Sequence, residues 1–395
     1  MRPTRRLGTV LVGLLVILAG TSVAMSNSPA DFGDPLPGLT DAQLAEFQTG
    51  KTEFQGAEDV PDGLGPVFNE ATCVACHTIP TVGGGGTRLE TRFGRLTNGK
   101  FDPMTEFGGS LLQDQGIGLV NVNGSYEYVG ETVPAQATIV AKRRTTPLFG
   151  LGFVDAVPDA TFVAIAEFQA RAFPDTAGRP LMVTNLATGG VSIGKFGWKA
   201  QVPTLFFAGD AYLNEMGITN PMFPNENCPQ GDCTVLSHNP VPGLNDDGTG
   251  VRRFANFMTL LAPPPRLPVT ATIVEGGVVF ASLGCANCHV PALKSGPHQV
   301  AALSNKAFFP FSDFLLHDMG HLGDGIEQGD ARGNEMRTAP LWGLRAITTF
   351  LHDGRATSIK AAILAHDGQA ETARDRFNAL DQETQAKLLA FLNSI

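Results

Sequence analysis

Helical patterning first becomes clear at Thr40. Thr40 and Gln43 have the spacing of a capping box, Leu44 and Phe47 follow at helical intervals, and Gly50 reads as the residue that ends the helix. Near the far end, Ala386 to Leu392 carries apolar residues at helical spacing and predicts a terminal core helix. Between these, Gly118–Val122 and Glu127–Val133 read as short strands of one hairpin. The Gly83–Gly86 run reads as a flexible loop, because no strand–helix pattern makes it a phosphate cradle. Pro263-Pro264-Pro265 and Pro268 mark a junction between two halves. The pattern predicts a mainly α protein with long loops and a few short β-strands.

A different pattern precedes all of this. Arg2, Arg5 and Arg6 stand before a short apolar run, Leu7 to Gly20, and Ser22-Val23-Ala24 supplies small residues for cleavage. Residues 1–24 therefore read as a secretory signal peptide and imply a periplasmic protein. The run is too short for a good membrane-spanning helix, and no later segment looks like one.

Composition agrees with a folded chain: 43% apolar and 17% charged residues argue against disorder, and 46 Gly with 27 Pro fit a loop-rich protein. At 395 residues there is room for two ordinary domains. The formal net charge is −10, and loss of residues 1–24 removes three Arg and no acid, leaving −13. Such a surface disfavours nucleic acid and anionic membranes and permits a basic electron-transfer partner.

Four of the six Cys lie in two C-x-x-C-H motifs, Cys73-Val74-Ala75-Cys76-His77 and Cys285-Ala286-Asn287-Cys288-His289. Two thiols at i and i+3 on a short turn reach the two vinyl groups of one haem, and the adjacent His ligates its iron. A zinc site or a redox dithiol is the alternative, and an exported chain weighs against both. The last two, Cys228 and Cys233, are read as a disulfide closing a small loop in an oxidising compartment.

The surroundings of the two motifs repeat. Phe68 and Phe280 each lie five residues before the first Cys, and Pro80 and Pro291 follow. Arg144-Thr145-Thr146-Pro147-Leu148-Phe149-Gly150-Leu151 parallels Arg337-Thr338-Ala339-Pro340-Leu341-Trp342-Gly343-Leu344. Trp198 with Thr204-Leu205 matches His352 with Ser358-Ile359 at the same offsets. This order predicts two cytochrome c-like haem domains, 25–262 with insertions and 263–395. The histidines are unevenly placed. None lies between His77 and His238, whereas His298, His317, His321, His352 and His366 follow the second motif. A second axial His is easy to supply for the second haem and not for the first, and axial ligands decide what a haem does.

With the two motifs, Phe311-Ser312-Asp313-Phe314-Leu315-Leu316-His317-Asp318-Met319-Gly320, Leu351-His352-Asp353-Gly354-Arg355-Ala356-Thr357-Ser358-Ile359 and Phe196-Gly197-Trp198-Lys199-Ala200, the chain resembles the di-haem oxidoreductase family. That family, also described as thiol oxidoreductases, is related to bacterial di-haem cytochrome c peroxidases. The resemblance covers nearly the whole mature chain. In the peroxidases a Met fourteen residues after the His-Asp-Gly histidine ligates the C-terminal haem. Here that residue is His366, which the resemblance makes the sixth ligand, with His317 as rival and a surface histidine as the plain alternative. The same offset from Trp198 reaches Tyr212, and Glu215 follows in a segment resembling the distal acid segment of the peroxidases. The resemblance implies Glu215 as distal acid/base, Tyr212 as an alternative distal residue or ligand, and Trp198 as an electron relay. A core Trp, a core Tyr and a solvated Glu are the structural alternatives.

Where the peroxidases carry a distal Gln, this chain has apolar Phe206-Phe207-Ala208. Arg144 and Arg337 are candidate partners of haem propionates. A calcium ion between the haem domains is also implied. Asn245-Asp246-Asp247-Gly248 is acidic enough to suggest one but reads better as a turn. The expected activity is peroxidase-like, with peroxide or another small oxidant and a small redox protein as partners. Oxidation of a protein or organic substrate, non-catalytic electron transfer, and iron uptake or sensing are the other readings.

Overall fold

The structure is a computed structural model, and it describes residues 30–395. The signal-peptide segment lies outside the described residues. Helix accounts for 36% and strand for 17%, so the mainly α expectation holds, with the strands confined to small sheets. The helices are α1 (Asp41–Gln55), α2 (Leu151–Asp155), α3 (Asp159–Ala172), α4 (Ala208–Met216), α5 (Thr249–Leu260), α6 (Ala271–Leu283), α7 (Ile359–Leu364), α8 (Glu371–Asn378) and α9 (Gln382–Ser394). Among the described residues no helix is long and apolar enough to cross a membrane.

The capping box of α1 forms: the Thr40 hydroxyl accepts from the Gln43 amide at 3.3 Å, and the Thr40 amide donates to the Gln43 side chain at 3.0 Å. The helix does not stop at Gly50. It runs on to Gln55, and Gly50 is where α5 crosses: a Cβ there would stand 2.4 Å from the Arg253 carbonyl oxygen and 3.0 Å from Phe257 Cβ. Glycine is needed for close backbone approach, not for termination.

The second half repeats this crossing. Gly276 in α6 meets α9, and a Cβ there would lie 2.0 Å from the Lys387 carbonyl oxygen and 2.8 Å from Phe391 Cβ. Phe47, Gly50 and Phe54 thus stand to Arg253 and Phe257 as Ile273, Gly276 and Phe280 stand to Lys387 and Phe391. This corrects one sequence parallel. The partner of Phe280 is Phe54, not Phe68: Phe54 lies 5.7 Å from the His77 ring and Phe280 6.5 Å from the His289 ring. Phe68 sits in a two-residue strand, Val67–Phe68, paired with Gln115–Gly116. The connection from α1 to Cys73 is much longer than that from α6 to Cys285, so Phe68 matches the offset in sequence only. Both crossings are apolar and buried, with Phe47, Phe257 and Leu388 fully so; each such side chain contributes about 1.5–3 kcal/mol.

The expected hairpin is present with shorter strands, Gly118–Val120 antiparallel to Tyr126–Tyr128. Leu89–Thr97 is the centre of a separate sheet and pairs with Ile139–Arg144 in the register Leu89↔Arg144 to Gly94↔Ile139. The disulfide Cys228–Cys233 is formed. The Gly83–Gly86 run is not a loose loop. All four residues are buried, and a Cβ would lie 2.0 Å from the Ile79 carbonyl oxygen at Gly84 and 2.2 Å from that of Cys76 at Gly86. The run is packed tightly under the first motif because only glycine admits that approach.

The two Arg-Thr-x-Pro-Leu segments cross-link the halves reciprocally. The Arg144 amide donates to the His352 carbonyl at 2.6 Å, and the Arg337 amide donates to the Trp198 carbonyl at 2.8 Å. Downstream, Gly150 donates to the carbonyl of Leu261 just past α5, and Gly343 to that of Ile395 just past α9.

Candidate functional site

Each C-x-x-C-H motif forms a 3-10 turn, Cys73–Ala75 and Cys285–Asn287, and the His amide donates to the first Cys carbonyl at 2.9 Å in both. The turn places both thiols and the imidazole at one locus. Burial pushes the Cys73 and Cys285 thiols up to about 12 and the Cys76 thiol to about 11. Among the described residues no group of three or more His, Cys, Asp or Glu is arranged to hold a metal ion.

Three imidazoles are oriented alike. His77 Nδ1 lies 3.0 Å from the Gly84 carbonyl, His289 Nδ1 3.0 Å from that of Phe311, and His366 Nδ1 2.8 Å from that of Ala362. A carbonyl accepts only, so each Nδ1 carries the proton and each Nε2 keeps its lone pair for a metal. Burial lowers all three, His77 and His289 to about 4, so the rings are neutral at neutral pH.

His289 and His366 face one another with ring centres 6.5 Å apart. Two metal–imidazole bonds of about 2 Å, plus the reach from each nitrogen to its ring centre, span roughly that distance. Both rings line a cavity of about 970 Å³, together with Cys285, Cys288, Trp198 and His352. His317 is differently engaged. Its Nδ1 is 3.5 Å from Cys288 Sγ and its Nε2 is 3.0 Å from Asp313 Oδ2. Burial opposes its charged form, but Asp313 outweighs this and holds the imidazole above its ordinary range. Both of its nitrogens are thus engaged, and His317 buttresses the motif. His321 is exposed, and His298 Nδ1 accepts the Val300 amide at 3.0 Å.

Around the first motif, α4 carries Tyr212 and Glu215 one turn apart, as expected. Their side chains go to different partners. The Tyr212 hydroxyl donates to Glu58 Oε1 at 2.7 Å, and its ring meets Phe254 edge-on at 5.0 Å. Glu215 Oε2 accepts from Asn69 Nδ2 at 2.8 Å. Burial first, then the negative charge of Glu90, pushes the Glu215 carboxyl up to about 7. The Glu215 carbonyl also accepts the amides of Asn69 and Glu70, at 2.7 and 3.2 Å, which ties α4 to the segment just before the first motif. Asn69 and Glu58 were not foreseen. Asn69 lies only four residues before Cys73, but its partner is 146 residues away, and no local pattern marks such a pair.

Trp198 donates its indole N–H to the Arg144 carbonyl at 2.8 Å and meets the His352 ring edge-on at 6.2 Å. It therefore lies at the reciprocal junction between the halves. Arg144 and Arg337 are buried and line the cavity. Arg337 donates to the Gly197 and Thr338 carbonyls, at 2.6 and 2.9 Å, and lies over the Phe314 ring. Arg144 Nε has no partner among the described residues. A buried guanidinium with a free donor is costly unless an anion meets it. The acidic Asn245–Gly248 segment is a turn: Asp246 and Asp247 cap the start of α5 by accepting amides of Gly248, Gly250 and Thr249.

Residues 125–395 match the family described as "Di-haem oxidoreductase, putative peroxidase". The chain belongs to this di-haem oxidoreductase family. Two haems are thus its expected cofactors, and the donors present fit them: paired neutral imidazoles, motif thiols, and a buried guanidinium whose Nε is unmet among the described residues and would suit a propionate. Among solved structures, a hydrazine synthase of Kuenenia stuttgartiensis is similar at 12% identity, over 95% of this chain and 98% of that one, with a TM-score of 0.39. A MauG-like protein associated with microbial copper homeostasis is similar at 13% identity, over 94% of each chain, also with a TM-score of 0.39. Such scores do not carry a shared fold, and membership rests on the sequence match. A comparison with curated proteins finds no match.

Proposed function

We propose that this di-haem oxidoreductase is an exported, periplasmic protein with two covalently attached haems c, one on Cys73 and Cys76 and the other on Cys285 and Cys288. The repeated helix crossing of Gly50 and Gly276 supports two cytochrome c-like haem domains meeting near residues 262 and 263. His77 would hold the first haem, and His289 with His366 the second. When bound, the haems supply one-electron redox chemistry, and an open axial position where one is left.

One observation carries this reading: His289 faces a second imidazole at 6.5 Å, and among the described residues the ring beside His77 is that of Phe54 and no imidazole faces it. The second site suits electron transfer and the first suits reaction with a small oxidant, with peroxide the leading candidate. Glu215 would take a proton from the peroxide and return it to the departing oxygen. Asn69 fixes which oxygen does so. The Asp114 amide donates to Asn69 Oδ1 at 3.1 Å, so Asn69 Nδ2 must face Glu215 and donate to Oε2. The mobile proton of the neutral acid then sits on Oε1. Trp198 would relay electrons between the sites, and the acidic surface would receive a basic redox partner.

Electron paramagnetic resonance of the ferric holoprotein tests the proposal. The expected result is one low-spin haem and one high-spin haem whose signal changes with cyanide or peroxide. Two low-spin haems inert to both would overturn it and leave an electron carrier.

A further inference from the structure

The family resemblance implies a calcium ion joining the haem domains. At the junction of the two halves, the structure has a cage of oxygens, and a side chain fills it. Lys199 follows Trp198 directly and is fully buried. Its Nζ lies 2.9 Å from the Arg332 carbonyl, 3.1 Å from that of Gly333, 2.7 Å from that of Glu335, and 2.9 Å from Asp324 Oδ1. All four oxygens belong to the 324–335 loop of the second half. From the first half, Arg143 Nε donates to Asp324 Oδ2 at 2.7 Å and its Nη1 to Gln328 Oε1 at 2.5 Å.

Calcium does not suit this cage. It takes six to eight oxygens at about 2.3–2.6 Å. Here there are four, at hydrogen-bonding distances from a nitrogen. The cage contributes a single carboxylate, and Arg143 already neutralises it, so a divalent ion would meet uncompensated positive charge. An ammonium adds one charge and brings its own three donors.

We infer that Lys199 is a built-in cation that takes the place of calcium at the junction of the halves. Its ammonium clamps the 324–335 loop of one half to the Trp198 segment of the other, and so positions Trp198 against His352. The holoprotein needs no calcium to hold that contact.

Elemental analysis and thermal melting of the holoprotein, before and after EGTA, test this directly. The expected result is substoichiometric calcium, with an unchanged melting temperature and haem spectrum. Stoichiometric calcium whose removal lowers the melting temperature or perturbs the spectrum would overturn it. Lys199→Ala adds a second test. The variant should melt lower than wild type and be raised again by ethylammonium but not by tetramethylammonium, which is too large for the cage. Equal effects of both ions, or a variant melting with wild type, would also overturn it. A variant too unstable to purify leaves the wild-type calcium measurement to decide alone.

Discussion

Two neighbouring glycines in α6 should respond to the same substitution with opposite signs. In Gly276→Ala the new methyl would stand 2.0 Å from the Lys387 carbonyl oxygen, more than an ångström inside ordinary contact. That oxygen is helix backbone and cannot rotate away, so α6 and α9 must part across Phe280, Leu388 and Phe391. Overpacking of this kind costs roughly 1–3 kcal/mol and sometimes more. Alanine's better helix propensity returns about 1 kcal/mol. A 2.0 Å clash with fixed backbone belongs in the upper part of that range, about 2–3 kcal/mol, so the net expectation is a loss of about 1–2 kcal/mol. In Gly277→Ala the methyl meets only the Phe391 ring, at 3.4–3.9 Å, which is ordinary contact. The helix gain then stands unopposed, and stability should rise by about 0.5–1 kcal/mol. Denaturant unfolding followed by circular dichroism and the Soret band measures both. The reasoning fails if the two variants shift in the same direction, or if Gly276→Ala is the more stable. Gly50→Ala, with the Arg253 carbonyl at 2.4 Å, should behave like Gly276→Ala.

Other expectations follow from the site. His366→Ala should convert the second haem from low to high spin, while His317→Ala should leave its ligation intact; electron paramagnetic resonance separates them. The Glu215 carboxyl titrates at about 7, above its ordinary value, so it is protonated below that pH and charged above it. The proton it retains favours the fold at low pH, and that contribution is lost as pH rises through about 7. Cyanide-binding rates should show a transition near that pH that Glu215→Gln abolishes; a pH profile unchanged in the variant would discard Glu215 as the titrating group. Asn69→Leu removes a hydrogen bond that lowers the Glu215 carboxyl, so the same midpoint should move upward; a downward move would contradict the Asn69 geometry.

What was legible in the sequence was whatever depends on short spacing. The two haem motifs, the Thr40 capping box, the terminal helix, the hairpin and the Cys228–Cys233 disulfide all involve residues a few positions apart. Longer offsets were legible only through repetition, which is how His352 and the Arg144 and Arg337 segments were aligned. The same reasoning misplaced Phe68, because the longer connection after α1 puts the true counterpart, Phe54, out of register. Gly50 and Gly83–Gly86 were misread for one reason. A glycine that ends a helix or loosens a loop looks the same in sequence as one that lets two backbones touch, and only the partner, 200 residues away for Gly50, distinguishes them. Asn69, Glu58 and Lys199 were invisible as partners because what makes them matter is a long-range neighbour of ordinary type.

The amide exchange at the centre of the molecule has a mechanical consequence. Arg144 binds the His352 carbonyl and Arg337 binds the Trp198 carbonyl, each the other's counterpart in the repeat. Residue i meets j and j meets i, which is what a two-fold axis imposes on a pair of identical subunits. Neither segment can shift without straining the bond the other makes, so loss of one contact should loosen both.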